Sequence, residues 1–155
     1  SSLRKIRVYT QDKSLTGKSS NYIYVEVLET GNGQGSPVYT DTTRVAYRGR
    51  LIPTVTYTDG YVFDQTYIGD FDWHTAGMAD LTPPTLVDGF STALMNMHCG
   101  DHWRVHIPYQ IGYGMTVHNT IPAYSDLVFE IALLDFWHPG ESRPKFRARE
   151  LRKEN

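Results

Sequence analysis

The chain has 155 residues, 40% of them hydrophobic and 13% aromatic, with a formal net charge of -2. This length supports one domain with a genuine core, and the composition is too apolar for a disordered chain. The near-balanced charge gives no general attraction to nucleic acid or an anionic membrane, and no apolar run is long enough to span a bilayer. The single cysteine, Cys99, excludes an internal disulfide framework.

Residues 1–21 show no sustained period. Lys5, Arg7, Lys13 and Lys18 stand among polar residues, and although Ile6 and Val8 could begin a strand, a loosely packed arm is expected. From Asn21 through Tyr22, Ile23, Tyr24 and Val25 to Leu28 the chain is rich in β-formers and alternates, so it reads as a strand. Gly31, Gly33 and Gly35 before Pro37 mark a loop. They lack the lysine and helix start of a phosphate-binding loop. A second strand is expected over 43–52, with Val45, Tyr47 and Leu51 on one side. Residues 53–58 read as an extension of it or an inserted bulge. Asp59-Gly60 then turns the chain into a further strand at Tyr61-Val62-Phe63-Asp64. Residues 65–85 have no clean period, and Pro83-Pro84 breaks any helix.

Phe90, Ala93, Leu94 and Met97 fall at the i, i+3, i+4, i+7 spacing of one helix face. The spacing predicts a short helix over 88–97, capped by the Asp88 carboxylate, with Gly100 at positive φ just past its end. The period then changes to 2. Trp103, Val105 and Ile107 point one way, and His102, Arg104 and His106 the other, onto a face expected to be solvated. Pro108 ends that strand, and a loop carries Tyr113 between Gly112 and Gly114, then Ile121-Pro122. Leu127, Phe129, Ile131 and Leu133 form one face of a last strand, which His138-Pro139-Gly140 stops. The tail mixes Arg143, Lys145 and Arg147 with Glu141, Glu150 and Glu154, and reads as a solvated extension. Several strands with one short helix imply an α+β fold, an antiparallel sheet with the helix against one face.

The runs Ile107-Pro108-Tyr109-Gln110-Ile111-Gly112-Tyr113-Gly114, Ile121-Pro122 and Leu127-Val128-Phe129-Glu130-Ile131 are ordered and chemically unusual. With Val45-Ala46-Tyr47-Arg48-Gly49-Arg50-Leu51, Asp59-Gly60-Tyr61-Val62-Phe63-Asp64 and Val87-Asp88-Gly89-Phe90, the chain resembles the FKBP-type (macrolide-binding) peptidyl-prolyl isomerases. The resemblance covers residues 29–137. It implies an FKBP-like curved antiparallel β-sheet wrapped around one short α-helix. An isomerase domain at 29–138 would lie between an N-terminal arm with a β-rich lead-in (1–28) and a charged C-terminal tail (139–155). Implied partners are proline-containing polypeptides and macrolide ligands, with no nucleic acid, cofactor or metal. The resemblance is compatible with exported bacterial members that carry N-terminal arms. The cell envelope or periplasm is therefore the expected location, with the cytoplasm as the alternative.

Rotation about an X–Pro bond must cross about 18–20 kcal/mol because it destroys amide resonance. No bond breaks, so no nucleophile, metal or acid–base pair is required. Each tenfold acceleration needs about 1.4 kcal/mol of preferential stabilisation of the twisted amide. A planar amide is more polar than a twisted one, so an apolar, water-poor pocket disfavours the ground state. On the resemblance, Tyr47, Phe63, Val87, Phe90, Ile121 and Phe129 form walls and floor, with Leu86 beside them. The Tyr113 hydroxyl and the Val87 N–H bind substrate carbonyls, and Asp64 orients the edge. Tyr113, Asp64, Phe63 and Phe90 are the expected catalytic residues, and Tyr47, Leu86, Val87, Ile121 and Phe129 bind substrate. Taken singly, each apolar member reads as ordinary core, and Asp64 as a strand-end carboxylate. Tyr113, flanked by glycines, has the least packing support.

Two positions depart from the family. Phe90 stands where the floor is usually tryptophan, and residues 80–85 hold no flanking aromatic, leaving Phe71 or Trp73 to substitute. A non-catalytic FKBP-like peptide-binding or chaperone module is therefore the alternative. Other chemistries fit poorly. His98, His102 and His106 would share a metal-binding face only on a helix, which Gly100 and the period-2 pattern break. Cys99 beside His98 has no supporting third group, so a structural thiol is expected.

Overall fold

The computed structural model describes residues 3–10 and 18–141. The charged tail beyond 141 and Lys13 lie outside the described residues. Among the described residues, seven strands and one α-helix follow in order: β1 Arg4–Arg7, β2 Tyr22–Glu29, β3 Thr42–Leu51, β4 Val62–Gln65, β5 Ala79–Leu81, α1 Asp88–Leu94, β6 His102–Ile107 and β7 Leu127–Trp137. They form one antiparallel sheet ordered β1-β2-β6-β7-β3-β4, with β5 paired to β3. The expected α+β architecture holds.

Strand alternation puts Ile23 and Val25, Val45, Trp103, Val105 and Ile107, and Leu127, Phe129, Ile131 and Leu133 into one core. The helix covers it, inserting Phe90, Ala93, Leu94 and Met97 and packing against β2 and β6. Its start differs from expectation. Val87 is the N-cap, extended at φ -61° and ψ 146°, with no side-chain cap hydrogen bond. Asp88 is the first helical residue, where its charge complements the helix dipole. The helix also stops at Leu94, short of Met97, which is nonetheless fully buried. Gly100 has φ 92° as expected, and it meets Gly31 backbone to backbone. A Cβ on Gly31 would lie 2.2 Å from the Cys99 carbonyl oxygen, which explains a glycine there beyond loop composition.

Three segments and His102 correct the sequence reading. Residues 4–7 are not a loose arm but an edge strand, registered from Arg4 opposite Val25 to Arg7 opposite Tyr22. Val8 after it is 1% exposed. The alternating Ile6 and Val8 outweigh the basic residues because only one face of the strand needs to be apolar. Residues 53–58 do not extend β3; they form an exposed loop in which Val55 is 99% accessible. The bulge lies elsewhere. Gly49 pairs with Asp64 and Arg50 with Val62, so Phe63 is the extra residue.

Residues 65–85 contain β5 and also cover the reverse face of the sheet. Tyr67 and Trp73 pack there on Ala46, Ala132 and Leu134, with Phe71, Ala76 and Met78 around them. Trp73 Nε1 donates to Glu29 Oε2 at 2.8 Å. The Arg48 guanidinium lies 4.4 Å over the Tyr67 ring and donates to the carbonyl oxygens of Tyr67 and Gly69. His102, expected on a solvated face, is buried under this layer with its ring 4.5 Å from that of Phe71. Its Nε2 has no hydrogen-bond partner among the described residues, and burial lowers its pKa. Phe71 and Trp73 are thus committed to the reverse face.

Candidate active site

A cavity of about 200 Å³ opens between the helix-bearing face of the sheet and the start of α1. It is lined by Tyr47, Asp64, Leu81, Thr85, Leu86, Val87, Phe90, Tyr113, His118 and Phe129. The floor is an aromatic cluster. Phe90 meets Phe129 edge to face at 4.9 Å and 82°, and Tyr47 at 5.6 Å and 89°. These contacts exist because β3, β7 and α1 each present one ring to the same point, and because residue 49 is glycine. A Cβ there would lie 2.6 Å from atoms of both Phe129 and Phe63.

Seven of the nine expected residues line the cavity directly. Phe63 and Ile121 do not; they form the layer behind. Phe63, delivered by the β4 bulge, packs edge-on against Phe129 at 5.4 Å. Ile121 is 2% exposed and exchanges backbone hydrogen bonds of 3.0 and 2.8 Å with His118, anchoring the loop that carries Tyr113. Leu81, Thr85 and His118 were not anticipated. Leu81 comes from a strand only three residues long, too short to show a period. His118 was legible only as a ring sharing a loop with Tyr113, on which it stacks at 4.2 Å and 10°.

The polar groups gather at one edge. The Tyr47 hydroxyl donates to Asp64 Oδ2 at 2.7 Å. Burial, then this bond, holds the Tyr47 hydroxyl well above its ordinary pKa. Tyr113 is raised by burial and by the Asp64 charge, so both phenols stay protonated donors. The Tyr113 hydroxyl and the Val87 N–H have no partner among the described residues, while the Val87 carbonyl accepts from the N–H groups of Phe90 and Ser91. An apolar floor with unused donors at its rim can hold a small apolar ring and bind the carbonyls of the backbone on either side.

A sequence model of FKBP-type peptidyl-prolyl cis-trans isomerase matches residues 33–134. The FKBP-type 22 kDa peptidyl-prolyl cis-trans isomerase of Escherichia coli is 34% identical over 132 residues, 84% of this chain and 58% of that protein. The macrophage infectivity potentiator of Trypanosoma cruzi is 32% identical over 117 residues, 75% of this chain and 54% of that one. Among solved structures, a peptidyl-prolyl cis-trans isomerase from Pseudomonas syringae superposes with a TM-score of 0.60 at 30% identity, covering 74% of each chain. The chain spans little more than half the length of these two curated relatives. With the motifs, the sheet and the aromatic cavity in agreement, the chain belongs to the FKBP-type peptidyl-prolyl cis-trans isomerase family.

Proposed function

We propose that this chain catalyses cis–trans isomerisation of X–Pro bonds in unfolded or partly folded polypeptides, using the cavity above Phe90. The observation that carries the reading is the joining of an aromatic floor (Phe90, Phe129, Tyr47) to two donors without a partner among the described residues, the Tyr113 hydroxyl and the Val87 N–H. The proline ring displaces water from the floor. The donors fix the carbonyls on either side, and the Tyr47–Asp64 pair borders the edge where the amide rotates. Phe63 and Ile121 act from behind, holding Phe129 and the Tyr113 loop. A twisted amide is less polar than a planar one, so this apolar site favours it by differential binding. Macrolides belong to the same proposal as competitors for the cavity. An envelope or periplasmic location also rests on the family resemblance, and fractionation of cells expressing the natural gene tests it.

The deciding experiment follows isomerisation of short X–Pro peptides with the residue before proline varied. Rates above the uncatalysed one, inhibited by a macrolide, are expected. A well-folded sample that leaves every peptide at the uncatalysed rate would assign the chain to the non-catalytic binding modules.

A further inference from the structure

The helix that carries the cavity floor has only seven residues, too few to hold its own position, and no side-chain hydrogen bond caps its start. Its place is set by what it is bonded to. On one side Ser91 Oγ donates to the Pro83 carbonyl at 2.7 Å. On the other, Thr92 meets the N-terminal segment, 83 residues away in sequence. The Tyr9 N–H donates to Thr92 Oγ1 at 3.1 Å, and Thr92 Oγ1 donates in turn to the Asp88 carbonyl at 2.8 Å. Asp88 directly follows Val87, whose N–H faces the cavity with no partner among the described residues.

The far end of this relay is itself fixed. Val8, beside Tyr9, is a core residue, and its N–H donates to the Asn21 carbonyl at 2.8 Å. The Tyr9 ring packs against Tyr39 at 5.6 Å. Its phenol is pushed up to about 12 by burial, then by its contacts with Tyr39 and Asp88, so it stays protonated beside the Asp88 carboxylate. Thr92 is fully buried, a place where valine would have nearly the same helix propensity. Only a hydroxyl can accept from one segment while donating to another.

We propose that Thr92 is a positioning residue for the isomerase reaction, setting where the Val87 N–H and the Phe90 ring stand at the cavity by bonding α1 to the N-terminal strand. The proposal rests on the isomerase reading and extends it. Tyr9 lies outside residues 33–134, the stretch matched to the family, so the relay makes the N-terminal strand a working part of the site. A donor displaced by about 1 Å can lose up to 10²-fold. Removing one of several restraints costs less, about fivefold, the worth of one hydrogen bond. The Val87 N–H serves the planar and the twisted amide alike, so the loss falls on KM.

The test compares Thr92→Val with Thr92→Ser, which keeps the hydroxyl, both checked by thermal unfolding. On a proline tetrapeptide Thr92→Val should raise KM about fivefold with kcat near that of the parent, and Thr92→Ser should restore KM. Titration with the same peptide, followed at the Val87 amide resonance, reads positioning without turnover and should show the same weakening and the same rescue. Tyr9→Phe keeps the backbone bond and the ring but loses the phenol beside Asp88, and should raise KM about twofold. A parent-like KM in folded Thr92→Val overturns the proposal, as does a serine variant no better than valine. A fall in kcat that only tracks the unfolded fraction, at parent KM, overturns it too. Should Thr92→Val fail to fold, Tyr9→Phe decides, and a parent-like KM there refutes the role. If the parent shows no turnover but the binding loss and its rescue persist, the isomerase reading fails and the positioning role stands for peptide binding. A parent that binds no proline peptide refutes both.

Discussion

Truncating Phe90 to alanine separates a pocket floor from a core residue that merely borders one. Phe90 is 3% exposed and makes two edge-on aromatic contacts, to Phe129 and Tyr47. Removing a buried phenylalanine costs about 3–5 kcal/mol. Here the void opens into a cavity of about 200 Å³ that water can enter, which favours the lower part of that range, about 3–4 kcal/mol. A domain with about 5–15 kcal/mol of stability remains folded after that loss. The rate effect is separate. Each proline methylene packed on the ring contributes about 0.8 kcal/mol, so losing two contacts lowers kcat/KM about fifteenfold. Both quantities are measurable on one sample: urea unfolding for stability, and X–Pro exchange at about 10 °C, where the uncatalysed reaction takes minutes. Phe90→Trp should hold or raise the rate. If folded Phe90→Ala turns over peptide as the parent does, Phe90 is core alone and the cavity is not where proline binds.

Gly49→Ala should lower kcat/KM by more than its stability loss of about 1–3 kcal/mol explains, because the new Cβ drives Phe129 and Phe63 off their positions; a parent-like rate with altered stability would contradict this. Tyr47→Phe removes the donor that holds Asp64, a partly exposed bond for which about 1 kcal/mol is expected, and should cost several-fold in kcat/KM with little change in unfolding midpoint. His102 is held neutral by burial, its pKa below the ordinary 6.5. Its contribution to stability is therefore fully present above about pH 6.5 and is lost as pH falls toward the lowered folded value. His102→Phe should flatten the acid side of the stability profile between those limits, and an unchanged slope would show that other groups set it.

Most of the helix-bearing face was legible. Period-2 alternation needs only one apolar face, and β2, β3, β6 and β7 each have one, so their core residues could be named from spacing. The reverse face was not legible. Its cover is an aperiodic segment whose aromatics, Tyr67, Phe71 and Trp73, pack on alanines at 46 and 132 that carry little hydrophobic signal of their own. His102 was misplaced for the same reason, since nothing local says that a distant loop returns over it. At the site, the motif residues converged, but their layering did not show in sequence. Whether Phe63 lines a cavity or backs Phe129 depends on one bulged residue, and a bulge changes no composition. Leu81 entered through a contact between segments far apart in the chain, and His118 through a stacking contact with Tyr113 within one loop.

The place of β7 governs how this molecule is assembled. It is the last strand in sequence among the described residues, yet it lies in the middle of the sheet, between β6 and β3. Before it forms, β1, β2 and β6 make one ladder, and β3, β4 and β5 another, with no backbone hydrogen bond between the two sets of strands. Phe129, a wall of the cavity, also arrives only then. During synthesis the two part-sheets must wait with open edges until residues 127–137 have emerged. The native pairing is non-local throughout, which makes closure slow. One strand thus completes the sheet and the cavity together, and the domain has no finished pocket until its sheet has closed.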